Sequence, residues 1–273
     1  PGIEAHTHEY IVTAHVDSKF GVAMAQKEQL EQTIRYLEES EEILFDGFHA
    51  HIGSQIFDKQ AFIEEIKKLF GFVSELKEQG ISIQTLNLGG GFAAKYTEED
   101  APIPLKEVCQ TILDTCKQEK EKYGVSVSRI LIEPGRSIVA EAGYTIYTIG
   151  DRKQTPNKQY VFVDGGMADN IRPALYQAKY DCVIDGKENP QETTATTVAG
   201  KCCESGDILI ESIELPACES GDLLVMKTTG AYGYSMASHY NKNCLPAVVF
   251  VEDGQAETVI RRETYEDLIR LEV

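Results

Sequence analysis

The sequence lacks the features of a membrane or nucleic-acid-binding protein. No apolar run approaches the roughly 18 residues that a membrane-spanning helix needs. Basic residues are scarce, with 26 Lys and Arg against 44 Asp and Glu and a formal charge of −18. That charge repels phosphate backbones and anionic lipid surfaces. An anionic ligand would therefore need a local site built from a few basic side chains or backbone N–H groups.

Paired cysteines and metal-ligand spacings are also missing. The seven cysteines are odd in number and contain no CxxC pair, which argues against a disulfide framework and against a zinc site. His6 and His8 have no third ligand at a suitable spacing, so no metal is expected. The first residues carry neither a basic region nor an apolar export region, and a cytoplasmic protein is expected. The missing initiator Met suggests a processed or truncated chain.

The first half of the chain alternates short β-rich runs with amphipathic helices. Apolar residues recur at helical spacing in three segments, and each later strand begins about 40 residues after the one before. This is the spacing of βα units in a parallel sheet or barrel. The predicted helices cover 26–40, 59–79 and 105–123, and the predicted strands cover 48–52, 85–88 and 129–132.

From residue 144 onward the pattern predicts an all-β domain, because short β-branched runs are separated by Gly, Pro, Asn and Asp. The predicted fold class is therefore α/β plus all-β, with domains at residues 1–140 and 141–273. A complete (β/α)8 barrel takes about 250 residues, whereas only about 135 precede the β domain. The first domain is interpreted as the last four βα units of such a barrel, followed by a β-barrel or β-sandwich. A doubly wound open sheet is the alternative.

Each of the three predicted strands ends in a distinctive cluster. The clusters are 49–55 (HAHIGSQ), 89–92 (GGGF) and 133–137 (EPGRS). The carboxyl ends of parallel strands meet at one edge, where ligands bind. Glycines let backbone N–H groups approach an oxyanion, and Arg136 with Ser54 adds charge and a hydroxyl, which suits a phosphate. The simpler alternatives are a plain glycine turn and a Glu133 that forms a salt bridge to Arg136 or Arg129.

The β domain carries three further motifs. Arg172 and Tyr176 lie four residues apart in IRPALY, where a carboxylate clamp is possible. The pentapeptide CESGD occurs at 203–207 and again at 218–222. Two similar turns would also explain this repeat. The segment 230–235 (GAYGYS) offers phenols on a glycine-flexible turn.

In this order the motifs resemble those of the diaminopimelate decarboxylases, which belong to the barrel-plus-β-domain class of pyridoxal phosphate enzymes. The resemblance spans nearly the whole chain and includes VDGGM before IRPALY and YN and RRETYEDL towards the end. It implies a pyridoxal 5′-phosphate enzyme that converts meso-diaminopimelate to L-lysine and CO2 in lysine biosynthesis. The alternatives are a related decarboxylase of carboxynorspermidine, ornithine or arginine, and a non-catalytic, cofactor-binding or regulatory subunit.

The resemblance also implies roles for individual residues. Cys203 would reprotonate the α-carbon, His51 would stack on the pyridine ring and Glu133 would pair with its nitrogen. The cofactor-binding residues would be His51, Ser54, Gly90, Gly91, Glu133, Gly135, Arg136 and Tyr232. The substrate-binding residues would be Arg136, Arg172, Tyr176, Glu204 and Tyr232.

Two further implications concern the assembly. In this family Cys203 and Glu204 come from the neighbouring subunit, so a homodimer with shared active sites is expected. The lysine that binds the cofactor covalently lies in a Tyr-Ala-x-Lys-Ala-Asn-like motif, which this chain does not contain. An N-terminal segment or a second chain would have to supply it.

Overall fold

The computed structural model describes residues 1–3 and 18–273. The chain divides into two compact units. The first comprises 1–95 and 99–138, and the second comprises 96–98 and 139–273. No helix in the described part of the chain is both long and apolar enough to cross a membrane.

The first unit is an α/β layer built on a short parallel sheet. Its three strands run in the order β1-β2-β3, all parallel, with His49 opposite Asn87 and Asn87 opposite Leu131 at their carboxyl ends. This register places the three loops that follow the strands side by side. In chain order the elements are α1 (Lys27–Glu38), β1 (Gly47–His49), α2 (Lys59–Glu78), β2 (Thr85–Asn87), α3 (Leu105–Tyr123), β3 (Arg129–Leu131) and the single turn α4 (Arg136–Val139).

Helix α2 provides much of the core of this unit. Asp58 caps the start of the helix, because its side chain accepts a hydrogen bond from the N–H of Gln60 at 2.8 Å. Gly80 lies just beyond the end of the helix and has a φ of +86°. A left-handed residue just beyond the last turn is the usual role of glycine at helix ends. One face of the helix is buried in the hydrophobic core of the unit, and it includes Phe62, Ile66, Leu69, Phe70, Val73 and Leu76.

The second unit is dominated by one six-stranded sheet with the order β6-β9-β4-β5-β7-β8. All of its neighbouring strands are antiparallel except β5 and β7. A separate antiparallel hairpin, β10–β11, lies near the C-terminus. The strands are β4 (Thr145–Gln154), β5 (Gln159–Val163), β6 (Cys182–Ile184), β7 (Thr194–Ala199), β8 (Ile208–Leu215), β9 (Leu223–Met226), β10 (Val248–Glu252) and β11 (Gln255–Ile260).

The β domain differs from the prediction in two respects. The β-branched runs of this domain predict strands at 144–149, 160–163, 208–213, 223–228, 247–251 and 258–261. None of these corresponds to β6, which has three residues, or to β7, which contains three threonines. Two of those threonines, Thr196 and Thr197, are nevertheless buried. The domain also contains short helices, α5 (Arg172–Tyr176), α6 (Gly233–Met236) and α7 (Tyr265–Ile269), so it is not purely β.

Candidate functional site

The loops after the three parallel strands are joined to one another through their backbones. The N–H of Glu133 donates to the carbonyl of Gly89 at 2.6 Å, and the N–H of Ile56 donates to the carbonyl of Gly91 at 2.9 Å. Parallel strands in register bring these loops together at one edge of the sheet. The three sequence clusters therefore form a single group in the first unit.

The glycine run makes this close approach possible. A Cβ on Gly90 would lie 2.3 Å from the carbonyl oxygen of Glu133, and a Cβ on Gly91 would lie 2.4 Å from that of Gly53. Gly89 and Gly91 also have positive φ values of +65° and +92°, which favour glycine. A side chain is excluded at these positions because it would collide with neighbouring backbone.

Arg136 and Ser54 form the part of the site best suited to an anion. Arg136 is buried, with 6% exposure, and its Nη2 donates to Ser54 Oγ at 2.9 Å. Next to it, a Cβ on Gly135 would meet no atom within 4 Å. A buried cation with a hydroxyl group beside an uncrowded backbone matches the donors that a phosphate group requires. The residues present therefore fit the phosphate of pyridoxal phosphate.

His51 is held as a neutral ring. The N–H of Gly90 donates to its Nδ1 at 3.1 Å, so Nδ1 is the acceptor and the ring hydrogen is on Nε2. Burial lowers the pKa of His51, the nearby His49 lowers it further, and Glu133 acts in the opposite direction. A neutral imidazole with one fixed edge can present a flat face to an aromatic ring.

Glu133 does not form the salt bridge that the simpler interpretation expected. Its Oε1 accepts a hydrogen bond from Asn87 Nδ2 at 2.7 Å and lies 3.7 Å from Nδ1 of His49. Arg129 instead pairs with Asp46, and Arg136 bonds Ser54. Asn87 is a site residue that sequence reasoning missed, although it directly precedes the LGGGF segment.

Gln55, the last residue of the HAHIGSQ cluster, is a second site residue that the sequence patterns did not identify. Its side-chain amide donates to the carbonyl of Ala94 at 2.7 Å and accepts from the N–H of Ala94 at 3.1 Å. Gln55 itself has φ +61°. This pair of bonds ties the loop after β1 to the segment that follows the glycine run.

In the second unit, Arg172 lies among three tyrosines. Its Nη1 donates to Tyr180 Oη and to Tyr96 Oη, the latter at 3.3 Å. Its Cζ lies 5.7 Å from the ring centroid of Tyr232, within the range of a cation–π contact. Arg172 is buried, while Tyr176 is at the other end of α5. The structure thus brings Arg172 and Tyr232 together, and the phenols that hydrogen-bond Arg172 come from Tyr96 and Tyr180.

The two CESGD copies have different environments. Cys203 and Glu204 are exposed on the turn between β7 and β8, and Glu204 accepts a hydrogen bond from Tyr240 Oη. Cys218 in the second copy is buried, and this burial raises its thiol pKa. Only the first copy presents its thiol to solvent.

Asp207 anchors the turn of the first copy. The residue is 2% exposed, and its carboxylate accepts hydrogen bonds from the N–H groups of Met167 and Cys202 at 2.6 and 2.7 Å. The corresponding Asp222 instead forms a salt bridge to Lys187 at 2.7 Å. The two identical pentapeptides therefore form turns whose aspartates have different partners.

All seven cysteines are free thiols. His6 and His8 lie outside the described residues. Within the described ranges, no group of three or more His, Cys, Asp and Glu side chains is arranged to hold a metal ion.

A family model described as the pyridoxal-binding domain of pyridoxal-dependent decarboxylases matches residues 1–140. The chain belongs to the pyridoxal-dependent decarboxylase family. This match confirms the resemblance, and similarity to solved decarboxylase structures confirms the predicted fold class.

Several relatives carry the same name. The diaminopimelate decarboxylase of Bacillus subtilis is 49% identical over the whole chain, which spans 62% of that protein. Among solved structures, diaminopimelate decarboxylase from M. jannaschii in complex with L-lysine has a TM-score of 0.91 at 36% identity, covering 100% of this chain and 62% of that one. The Helicobacter pylori enzyme, also complexed with L-lysine, has a TM-score of 0.88 at 37% identity, covering 100% and 65%. The chain thus spans about three-fifths of the length of these relatives.

Proposed function

We propose that this chain is part of a pyridoxal 5′-phosphate-dependent diaminopimelate decarboxylase, which converts meso-diaminopimelate to L-lysine and CO2. The observation that carries the proposal is the group at the strand ends of the first unit. It combines a buried Arg136–Ser54 pair, a neutral His51 and an oriented Glu133. Similarity to two decarboxylase structures that contain L-lysine supports the choice of substrate.

The residues of the first unit would bind and orient the cofactor. Arg136, Ser54 and Gly135, with the glycine run at Gly90 and Gly91, would hold the phosphate. The neutral face of His51 would stack on the pyridine ring. When bound, the cofactor supplies an electron sink for the pair left on the α-carbon as CO2 departs.

Glu133 would act on the pyridine nitrogen. A carboxylate beside that nitrogen stabilises its protonated form, since opposite charges at hydrogen-bond distance attract. The protonated ring is the better electron acceptor. Glu133 therefore bears on the chemical step, whereas Arg136 and Ser54 bear on retention of the cofactor.

The residues of the second unit would bind the substrate and supply a proton. Arg172 would take a substrate carboxylate, and Glu204 would take the distal ammonium. Tyr176 and Tyr232 would complete the substrate contacts. The thiol of Cys203 would donate a proton to the α-carbon.

We further propose a homodimer in which Cys203 and Glu204 serve the active site of the partner. The exposure of Cys203 and Glu204 on the turn supports this assignment, because both side chains are presented outward. The covalently bound lysine would come from a segment or chain outside these 273 residues. A cytoplasmic location stays a prediction.

The test is substrate turnover by the protein expressed from its whole gene. We expect L-lysine and CO2 from meso-diaminopimelate, and little or no product from L-ornithine, L-arginine or carboxynorspermidine. Glu133→Gln should lower kcat strongly while the dissociation constant of the cofactor changes little. Preferred turnover of one of the other substrates would favour a related decarboxylase. Cofactor binding without turnover of any of them would favour the regulatory subunit.

A further inference from the structure

We propose that Asn87 is a positioning residue that orients Glu133 towards the cofactor ring, an inference that rests on the proposed function. Asn87 is the last residue of β2. Glu133 follows two residues after the end of β3, the neighbouring parallel strand. The side chain of Asn87 therefore spans two adjacent strand ends.

The orientation of the Asn87 amide is fixed by a backbone group. The N–H of Gly89 donates to Asn87 Oδ1 at 3.0 Å. A backbone N–H can only donate, so the atom that it meets must be the amide oxygen. The other end of the amide is then Nδ2, which donates to Glu133 Oε1 at 2.7 Å.

Glu133 depends on this bond for its side-chain direction. Its side chain is 57% exposed, so packing does not restrict the rotamer. The only other polar neighbour described for the same oxygen, His49 Nδ1, lies at 3.7 Å, beyond hydrogen-bond distance. The main chain of Glu133 is already held at Gly89 by a 2.6 Å hydrogen bond. The segment from Asn87 to Gly89 thus holds both the side chain and the main chain of Glu133.

The arrangement links the glycine run to the carboxylate. Because Asn87 bonds Gly89 with one end and Glu133 with the other, a displacement of the run moves the carboxylate with it. A site group works best when a fixed outer partner sets its direction. The hydrogen bond from Asn87 therefore sets the direction in which the Glu133 carboxylate faces the cofactor ring.

The test uses two variants of Asn87 in the full-length holoenzyme. Asn87→Asp keeps the oxygen that Gly89 bonds but replaces the donor to Glu133 with a second negative charge. Asn87→Ser keeps an oxygen near Gly89 and removes the donor without adding charge. Each variant is made in the parent and in the Glu133→Gln background. Gln84→Glu, which makes the same amide-to-acid change just before the start of β2, is the matched control.

In the parent, Asn87→Asp should lower kcat by about 10- to 100-fold, the scale seen for outer partners of site groups. Asn87→Ser should have a smaller effect in the same direction, and Gln84→Glu should have none. In the Glu133→Gln background, either Asn87 change should alter kcat by less than about 2-fold. The visible absorbance spectrum of the bound cofactor should shift in Asn87→Asp as it does in Glu133→Gln, with no further shift in the double variant.

Two results separate the possible failures. If Glu133→Gln alone leaves kcat and spectrum unchanged, the proposed role of Glu133 is wrong. If Glu133→Gln is damaging but the Asn87 variants have equal effects in both backgrounds, or no effect in the parent, Asn87 does not act through Glu133. A general loss of structure would lower activity by the same factor in both backgrounds and would therefore overturn the inference.

Discussion

Glu65 should make the first unit less stable as the pH rises. This residue of α2 is fully buried, and neither of its carboxylate oxygens has a hydrogen-bond partner among the described residues. Burial raises its pKa to about 8. The native structure therefore favours the neutral carboxyl.

The magnitude follows from the two pKa values. In the unfolded chain Glu65 has an ordinary pKa of 4.5, and in the folded chain about 8. The folded state holds the proton more tightly, so the stabilisation is fully present below pH 4.5 and is lost as the pH rises towards 8. Each pH unit in this window costs about 1.4 kcal/mol. Between pH 5 and 8 the loss amounts to about 4 kcal/mol, a large fraction of the stability of an ordinary domain.

The assay compares Glu65→Gln with the parent chain at pH 5 to 8. Hydrogen–deuterium exchange of the α2 peptides reports the opening free energy of this unit alone, which avoids treating two units as one transition. The parent should lose protection with rising pH beyond the intrinsic increase in exchange, and the Gln variant should lose much less because its amide does not ionise. Glu64→Gln, at the exposed neighbouring position, should behave like the parent. Equal losses in Glu65→Gln and the parent would show that the buried carboxyl does not govern this stability.

Four further predictions concern the thiols, the dimer and the cofactor. In the folded chain, iodoacetamide should label Cys203 well before Cys218, because Cys218 is buried with a raised pKa. Peptide mass spectrometry measures the order of labelling, and labelling of Cys218 first would contradict the prediction. In the full-length protein, Cys203→Ala should cost on the order of 10²-fold in L-lysine formation, the usual scale for a lost general acid, whereas a comparable loss in Cys218→Ala would reverse the choice of copy. Mixed Cys203→Ala and Glu133→Gln subunits should regain part of the activity, and no recovery despite proven subunit exchange would contradict the shared-site dimer. The 273-residue chain alone should not be linked to pyridoxal phosphate by borohydride, and a labelled lysine would refute this.

Local sequence patterns determined the elements of the first unit closely. Apolar spacing predicts a helix at 105–123, and the structure has α3 at Leu105–Tyr123. The helix predicted at 59–79 is α2, Lys59–Glu78. These elements are readable because helical periodicity and the glycines after each helix are local properties of the chain. The clusters at the strand ends were readable for the same reason.

Only the tertiary structure decided which side chains meet. Asn87 and Glu133 are 46 residues apart and Arg172 and Tyr96 are 76 apart, so their contacts depend on long-range packing. The state of Glu65 could not be predicted for the same reason. Helical spacing places it on the apolar face of α2 but does not show whether another side chain pairs with its carboxyl group. Nor could the difference between the two CESGD turns be predicted, because identical pentapeptides acquire burial and anchoring from the strands around them. Residue types and their order thus identified the chemistry, whereas long-range packing set the partners that orient it.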